Sequence, residues 1–295
     1  MEPIKTVPDD EVPKRAFPKL YDRWHFLYAE HAIVERDEDA LLILSEEQEE
    51  TPIPVAQLAL LSLGPGTSIT DQAVKLLAKN KTLIVWVGEH GVRMYAGGTP
   101  LATSSARLLK QAYCATHEPQ KTQIARKLYT FRFPNEETTN LSIPNIRAKE
   151  AVRMKNIYEH FSKKFNVPWL RRDTDQDEWN DTDPINRALS SAFACLYGIT
   201  HASIHAIGLS PALGFIHTGT QESFVFDIAD LYKTQIAVPI AFEETAKGEK
   251  DIERRVRKRM RNAFYQQNLL AKTINLLIEL FPISDEEGIP SPEDE

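Results

Sequence analysis

The sequence predicts an α+β protein, with a small N-terminal β-rich domain followed by a larger all-α C-terminal domain. Three observations carry this. In the first hundred positions apolar residues fall in short runs rich in aromatic and β-branched side chains, bounded by glycine and proline. From about Leu101 the apolar spacing becomes helical. At 295 residues the chain is long enough for two domains. The boundaries read as 18–98 for the β-rich domain, 99–282 for the helical one, and 283–295 for an acidic, disordered tail.

The elements follow in order. Residues 24–34, 40–44 and 58–63 read as strands, the last closed by the turn Gly64-Pro65-Gly66. Residues 70–77 have helical spacing. Residues 82–87 read as a buried strand that returns through 92–96 by way of Gly88 and Gly91, and Gly97 and Gly98 end the region. The linker falls near 97–103. Helices are expected over 104–113, 118–133 and 144–165, the second with Pro119 in its first turn. A polar, aspartate-rich stretch (168–183) holds Trp179. Further helices are expected over 184–208, 224–244 and 251–280.

Composition narrows the function classes. The formal net charge is −7, which by itself argues against nucleic acid as a partner. Six acidic residues, Asp285, Glu286, Glu287, Glu293, Asp294 and Glu295, sit in the last eleven positions. The rest of the chain is therefore nearly neutral and can carry a local basic face. Cys114 and Cys195 are far apart and form no C-x-x-C arrangement, which argues against a disulfide framework or a thiolate zinc site. No run of about 18 apolar residues and no signal-peptide pattern occurs, so the chain reads as cytoplasmic.

The most informative stretch runs from Gly214 to Asp230. Asp227 and Asp230 lie three apart, which on a helix puts them on one face, in a segment otherwise made of Phe224, Val225, Phe226, Ile228 and Ala229. Carboxylates in such a setting are expensive to bury unless paired or metal-bound. His217 lies just upstream between glycines. Carboxylates with one imidazole suit Mg²⁺ or Mn²⁺. The pattern also fits a helix capped by Asp227 with Asp230 facing solvent. A third carboxylate has to come from elsewhere. Glu150, on the helix expected over 144–165, is a candidate, and a surface glutamate paired with Arg147 is the alternative. His201 and His205 are four apart on one helix without a third ligand, and read as helix-interface histidines.

The runs PALGFIHTG and SFVFDIADLYK, with ACLYGIT upstream and LIVWVGEHGVRMYAGG in the first domain, resemble the CRISPR adaptation integrase. This is the Cas-one family, in its type I-E branch, and the similarity extends from about Trp24 to Leu280. The resemblance implies a metal-dependent DNA integrase and endonuclease. Its metal is expected on Glu150 (in AKEAVR), His217 and Asp230, with Asp227 as a further acidic residue beside the site. Tyr197 resembles a tyrosine near the reaction centre. The implied work is the insertion of a short foreign DNA duplex into the CRISPR array, each 3′-hydroxyl attacking a phosphodiester of the repeat. Partners implied are double-stranded DNA (protospacer and repeat), a second copy of the chain forming a homodimer, and the Cas-two protein in a larger complex. The β-rich domain is expected to serve dimerisation and contacts with the DNA end.

DNA contacts are expected from several positions. Arg254, Arg255, Arg257, Lys258, Arg259 and Arg261 are interleaved with Val256, Met260 and Phe264, so that one helix face packs while Arg254, Arg257 and Arg261 share another. The resemblance adds Tyr28, stacking on the duplex end, and Lys75, Arg93 and Lys233. The sequence departs from the family pattern at Ser68 for arginine, Thr220 for lysine and Phe226 for tyrosine. Two rival readings are a DNA-binding scaffold subunit of the same complex without catalysis, and a small-molecule metallohydrolase. The intact Glu150, His217 and Asp230 argue against the first, and the basic segment 254–261 against the second.

Overall fold

The structure is a computed structural model that describes residues 27–45, 48–87, 94–98, 105–133, 142–172 and 183–283. Arg93, Trp179, the turn at Gly88 and Gly91, most of the linker and aspartate-rich stretch, and the acidic tail lie outside the described residues.

The N-terminal region is β-rich and the C-terminal region helical, as the sequence predicts. One sheet runs in the order β1 (Leu27–Ala29), β5 (Leu60–Leu63), β7 (Leu83–Val87), β8 (Met94–Gly98), parallel except for the antiparallel last pair. The second runs β4 (Gln48–Pro54), β3 (Ala40–Ser45), β2 (Ala32–Asp37), β6 (Ser68–Ile69). Helix α1 (Asp71–Lys79) starts at Thr70, whose side chain accepts from Ala73 N at 3.3 Å.

The apolar runs at 58–63 and 82–87 do not alternate with polar residues because their sheet is covered on both sides. Leu61, Leu63 and Ile84 join Val34, Leu41, Leu58 and Leu77 in a core under the second sheet. Leu60, Leu83 and Val85 point the other way, into the core of the helical region. Successive strand residues face opposite sides, so a strand buried on both must be apolar throughout.

The helical region comprises α2 (Ala106–Thr116), α3 (Glu118–Arg132), α4 (Ile143–Phe165), α5 (Pro184–Ala206), α6 (Ser223–Tyr232), α7 (Val238–Ala246), α8 (Ile252–Gln266) and α9 (Leu269–Leu280). Helix α5 is its axis: residues from Ile185 to Ala202 pack with α7, α8, α9 and the sheet in one core. It starts cleanly because Asp183 accepts from Asn186 N at 2.7 Å and Pro184 occupies the first turn.

Two expected helices are divided. The segment expected as 224–244 carries a π-helical turn over Lys233–Ala237 between α6 and α7. Pro239 follows in the first turn of α7, where a proline lacks its N–H and its ring collides with the carbonyl four residues back; the wider turn accommodates it. The segment expected as 251–280 breaks at Asn268, which takes a left-handed conformation (φ 49°) that asparagine tolerates better than most residues. No helix among the described residues is long and apolar enough to cross a membrane.

Tyr28 joins the two regions. Its hydroxyl donates to Glu30 Oε2 at 2.7 Å, and the Arg257 guanidinium lies 4.4 Å above its ring. Arg257 also reaches Glu30 Oε1 at 3.7 Å. Gly64 makes the fit possible, because a Cβ there would stand 2.5 Å from the Tyr28 hydroxyl and 2.8 Å from Cζ. Gly64→Ala should lower stability by about 1–3 kcal/mol, and by less in a Tyr28→Phe background, measured by urea denaturation of the four proteins of the cycle.

His205 is partly buried at the end of α5. It stacks on His201, with ring centroids 5.4 Å apart, and Glu222 faces His201 at 3.5 Å. Burial, with His201 second, lowers its pKa to about 4. The unfolded chain therefore binds a proton before the folded one does. This contribution is intact above about pH 6.5 and is lost as pH falls toward 4. His205→Gln should shrink the stability difference between pH 7.5 and pH 5, read from urea denaturation at both.

Candidate metal and phosphodiester site

The site is built on α6 and the loop before it. Asp227 is 1% exposed, and its carboxylate is saturated with donors. Oδ2 accepts from Phe215 N at 2.6 Å and Ile216 N at 3.1 Å, and Oδ1 from His217 N at 2.8 Å. His217 Nδ1 lies 2.8 Å from Oδ1 as well. A buried carboxylate is tolerable only with such partners. Asp227 is therefore neither the helix cap nor an idle charge, since Glu222 holds the N-cap position. It folds the loop over itself, at a place where Gly214 is required: a Cβ there would meet the His217 carbonyl oxygen at 2.2 Å.

The bond at Nδ1 assigns that nitrogen as the donor and leaves the Nε2 lone pair pointing outward. Nε2 stands 3.9 Å from Asp230 Oδ2. The hydrogen bond to Asp227 raises the His217 pKa against the opposing effect of burial. Phe226 packs edge-on against His217 at 5.9 Å and against Tyr197 at 5.1 Å.

Glu150 arrives from α4, 67 positions earlier than His217 in sequence. It is not a surface glutamate paired with Arg147. Its carboxylate meets Arg132 Nη1, and the same nitrogen lies 3.1 Å from Asp230 Oδ2. Arg147 instead donates to the Ile216 carbonyl, tying α4 to the histidine loop. Burial raises the Glu150 carboxyl above its ordinary range, with Arg132 opposing. For Asp230, burial is outweighed by Lys233 and Arg132, which hold its carboxyl low.

Lys233 occupies the start of the π-helical turn and places Nζ 2.7 Å from Asp230 Oδ1. Its ammonium lies 5.0 Å from the Phe193 ring and 4.9 Å from that of Tyr197. The structure thus gathers Glu150, His217, Asp227, Asp230, Tyr197 and Lys233 at one place. The carboxylates and the imidazole are hard donors of the kind a divalent cation takes. The 3.9 Å from His217 Nε2 to Asp230 Oδ2 lies in the range of about 3–4.2 Å that two ligands on such an ion span. As the side chains stand, no three His, Cys, Asp or Glu residues among the described ones form a group that could hold a metal. The guanidinium of Arg132 lies between the two carboxylates.

Arg132 and Arg147 are the site residues that sequence reasoning missed. The signal for Arg132 was its setting, an arginine between Phe131 and Phe133 at a helix end.

The other expected contacts are scattered. Lys75 is exposed on α1 and paired with Asp71 at 2.6 Å. On α8, Arg254, Lys258 and Arg261 are exposed, while Arg257 is buried against Tyr28. Arg257 therefore does not share the outward face of Arg254 and Arg261, because it lies three and seven residues before Met260 and Phe264, on the stripe that packs. Tyr28 has its ring covered by Arg257 rather than exposed for stacking. Arg255 and Arg259 are committed to Glu243 and Glu244 on α7. His201 and His205 stack on one another at the α5 end.

Comparison with known proteins identifies the family. The family described as CRISPR associated protein Cas1 matches over residues 26–172 and 141–276. A CRISPR-associated endonuclease Cas1 of Thermus thermophilus is 42% identical over 281 residues, spanning 95% of this chain and 85% of that protein. The CRISPR-associated endonuclease Cas1 of Escherichia coli is 36% identical, over 93% of this chain and 90% of that protein. Among solved structures, a TtCas1–DNA complex superposes with a TM-score of 0.80 at 42% identity, covering 90% of this chain and 94% of that one. A casposase bound to its integration product, 14% identical with a TM-score of 0.67, shares the fold. The chain belongs to the CRISPR associated protein Cas1 family.

Proposed function

We propose that the protein is a metal-dependent DNA endonuclease and integrase of CRISPR adaptation. It joins the 3′-hydroxyl of a protospacer duplex to a phosphodiester of the CRISPR repeat by transesterification. The observation that carries this reading is the convergence of Glu150, His217 and Asp230 from three separate segments beside the cations of Arg132 and Lys233. The relatives named endonucleases and the neighbour solved with DNA support it.

Glu150, His217 Nε2 and Asp230 would hold Mg²⁺ or Mn²⁺. Bound there, the ion supplies charge stabilisation on the phosphodiester oxygens. The chain does the rest. Asp227 orients His217 and, by holding Nδ1, leaves Nε2 as the nitrogen that would face a metal. Lys233 steadies Asp230 and, through Tyr197, the floor of the site. Two cations, Arg132 and Lys233, balance the carboxylates of Glu150 and Asp230, and a divalent ion would turn that balance positive, suited to a phosphodiester anion. The type I-E branch, a homodimer joined to Cas-two and a cytoplasmic site of action complete the reading. The β-rich region (18–98) takes dimerisation and DNA-end contacts there, and the exposed Arg254 and Lys75, with Arg93, meet the phosphate backbone. The arrangement of Tyr28 and Arg257 favours a structural part for both before DNA arrives. A scaffold subunit without catalysis is not favoured, because it has no use for this set of donors.

The deciding experiment is strand transfer of a short duplex into a plasmid carrying a CRISPR repeat, in the presence of Cas-two. Wild type is expected to integrate with Mg²⁺ or Mn²⁺ and not with chelator. His217→Ala is expected to lose strand transfer while still binding DNA. Equal transfer by both proteins would remove the metal assignment.

Asp227→Asn should separate orientation from folding less cleanly. An amide offers one acceptor oxygen where the carboxylate offers two, and its NH₂ group must face N–H donors of the 215–217 loop. A loss of about 2–4 kcal/mol in stability is expected, together with impaired transfer, read by denaturation and by the same integration assay.

A further inference from the structure

Arg132 is the least explained charge in the site. It is the last residue of α3, its side chain is 7% exposed, and its Nη1 contacts Glu150 Oε1 and Asp230 Oδ2 together. One positively charged atom thus stands where two carboxylates from α4 and α6 converge. Both carboxylates are themselves largely buried. The arginine is held from behind, since its carbonyl oxygen accepts from Arg153 Nη1 at 3.1 Å and the Arg153 guanidinium lies 4.8 Å over the Phe133 ring.

Without a cation, Glu150 and Asp230 would repel each other in a poorly solvated place. Lys233 answers Asp230 through the other oxygen, Oδ1, and does not reach Glu150 by any described ion pair. Arg132 is therefore the charge that lets these two carboxylates share a site. The same position sets its guanidinium between two of the three expected donors.

We propose that Arg132 is the internal counter-cation of this site: it stands in for the divalent ion between Glu150 and Asp230 and swings aside when that ion binds. The proposal rests on the metal reading given above. It makes the fold independent of metal and sets metal affinity below what the donors alone would give. Arg132 is a positioning residue in this sense, because it acts through the two carboxylates.

The test measures Mn²⁺ binding to the full-length protein directly, from the electron paramagnetic resonance of the free ion, with thermal melting in chelator and in Mn²⁺. Wild type, Arg132→Gln, Arg132→Lys and His217→Ala are compared. Arg132→Gln is expected to melt below wild type in chelator, to recover more on adding Mn²⁺, and to bind Mn²⁺ about tenfold more tightly. Arg132→Lys, which keeps the charge but not the reach, should fall between them and serves as the test should the glutamine variant not fold. A purely structural arginine would weaken metal binding when removed, so equal or weaker Mn²⁺ affinity in both Arg132 variants overturns the proposal. Wild-type binding that His217→Ala weakens would leave the metal reading standing in that case. No Mn²⁺ binding by wild type overturns the metal reading and this proposal together.

Discussion

The site depends on one buried charge. Asp227 is almost wholly removed from water, and a carboxylate in that position costs several kcal/mol unless donors surround it. Three backbone N–H groups and an imidazole do so. The loop from Phe215 to His217 therefore has its shape because the aspartate on the next helix needs it. The direction of His217, the freedom of Nε2 and the necessity of Gly214 all follow from that requirement.

Around this anchor the charges are arranged in opposed pairs. Arg132 spans Glu150 and Asp230, Lys233 takes the other oxygen of Asp230, and Tyr197 and Phe193 cover Lys233 with their rings. Burial alone would push the Glu150 and Asp230 carboxyls up. For Asp230 the two cations win and for Glu150 burial wins, so the two acids of one site differ in proton affinity. The π-helical turn that starts at Lys233 is part of this construction, because it begins at the residue that must reach back to Asp230.

A second constraint ties this centre to the rest of the chain. Helix α5 carries Tyr197 and packs against the outer face of β5 and β7, whose other face closes the core between the sheets. Tyr28, Glu30 and Arg257 add a polar clasp across the same boundary. Arg257 falls on the stripe of Met260 and Phe264, but its basic neighbours mask that position, and only the packing shows that its charge meets Tyr28 and Glu30.

Much of the fold was legible in the sequence for local reasons. Glycines and prolines marked the ends of strands, the change from period two to period 3.6 marked the passage from sheet to helix, and Asp183-Pro184 and Glu118-Pro119 marked helix starts. The pair Asp227 and Asp230 was visible because carboxylates in an apolar run demand partners. What tertiary structure alone decided is who those partners are. Glu150 and Arg132 lie about 80 and 98 residues from Asp230 along the chain, and no periodicity links positions so distant. The breaks at Lys233–Ala237 and Asn268 do not show in the apolar spacing, which continues across both, although Pro239 and Asn268 are the residues that allow them. Local sequence determined which residues had to be buried or paired, and only the meeting of α3, α4 and α6 decided with what, because a charge is satisfied through space and not along the chain.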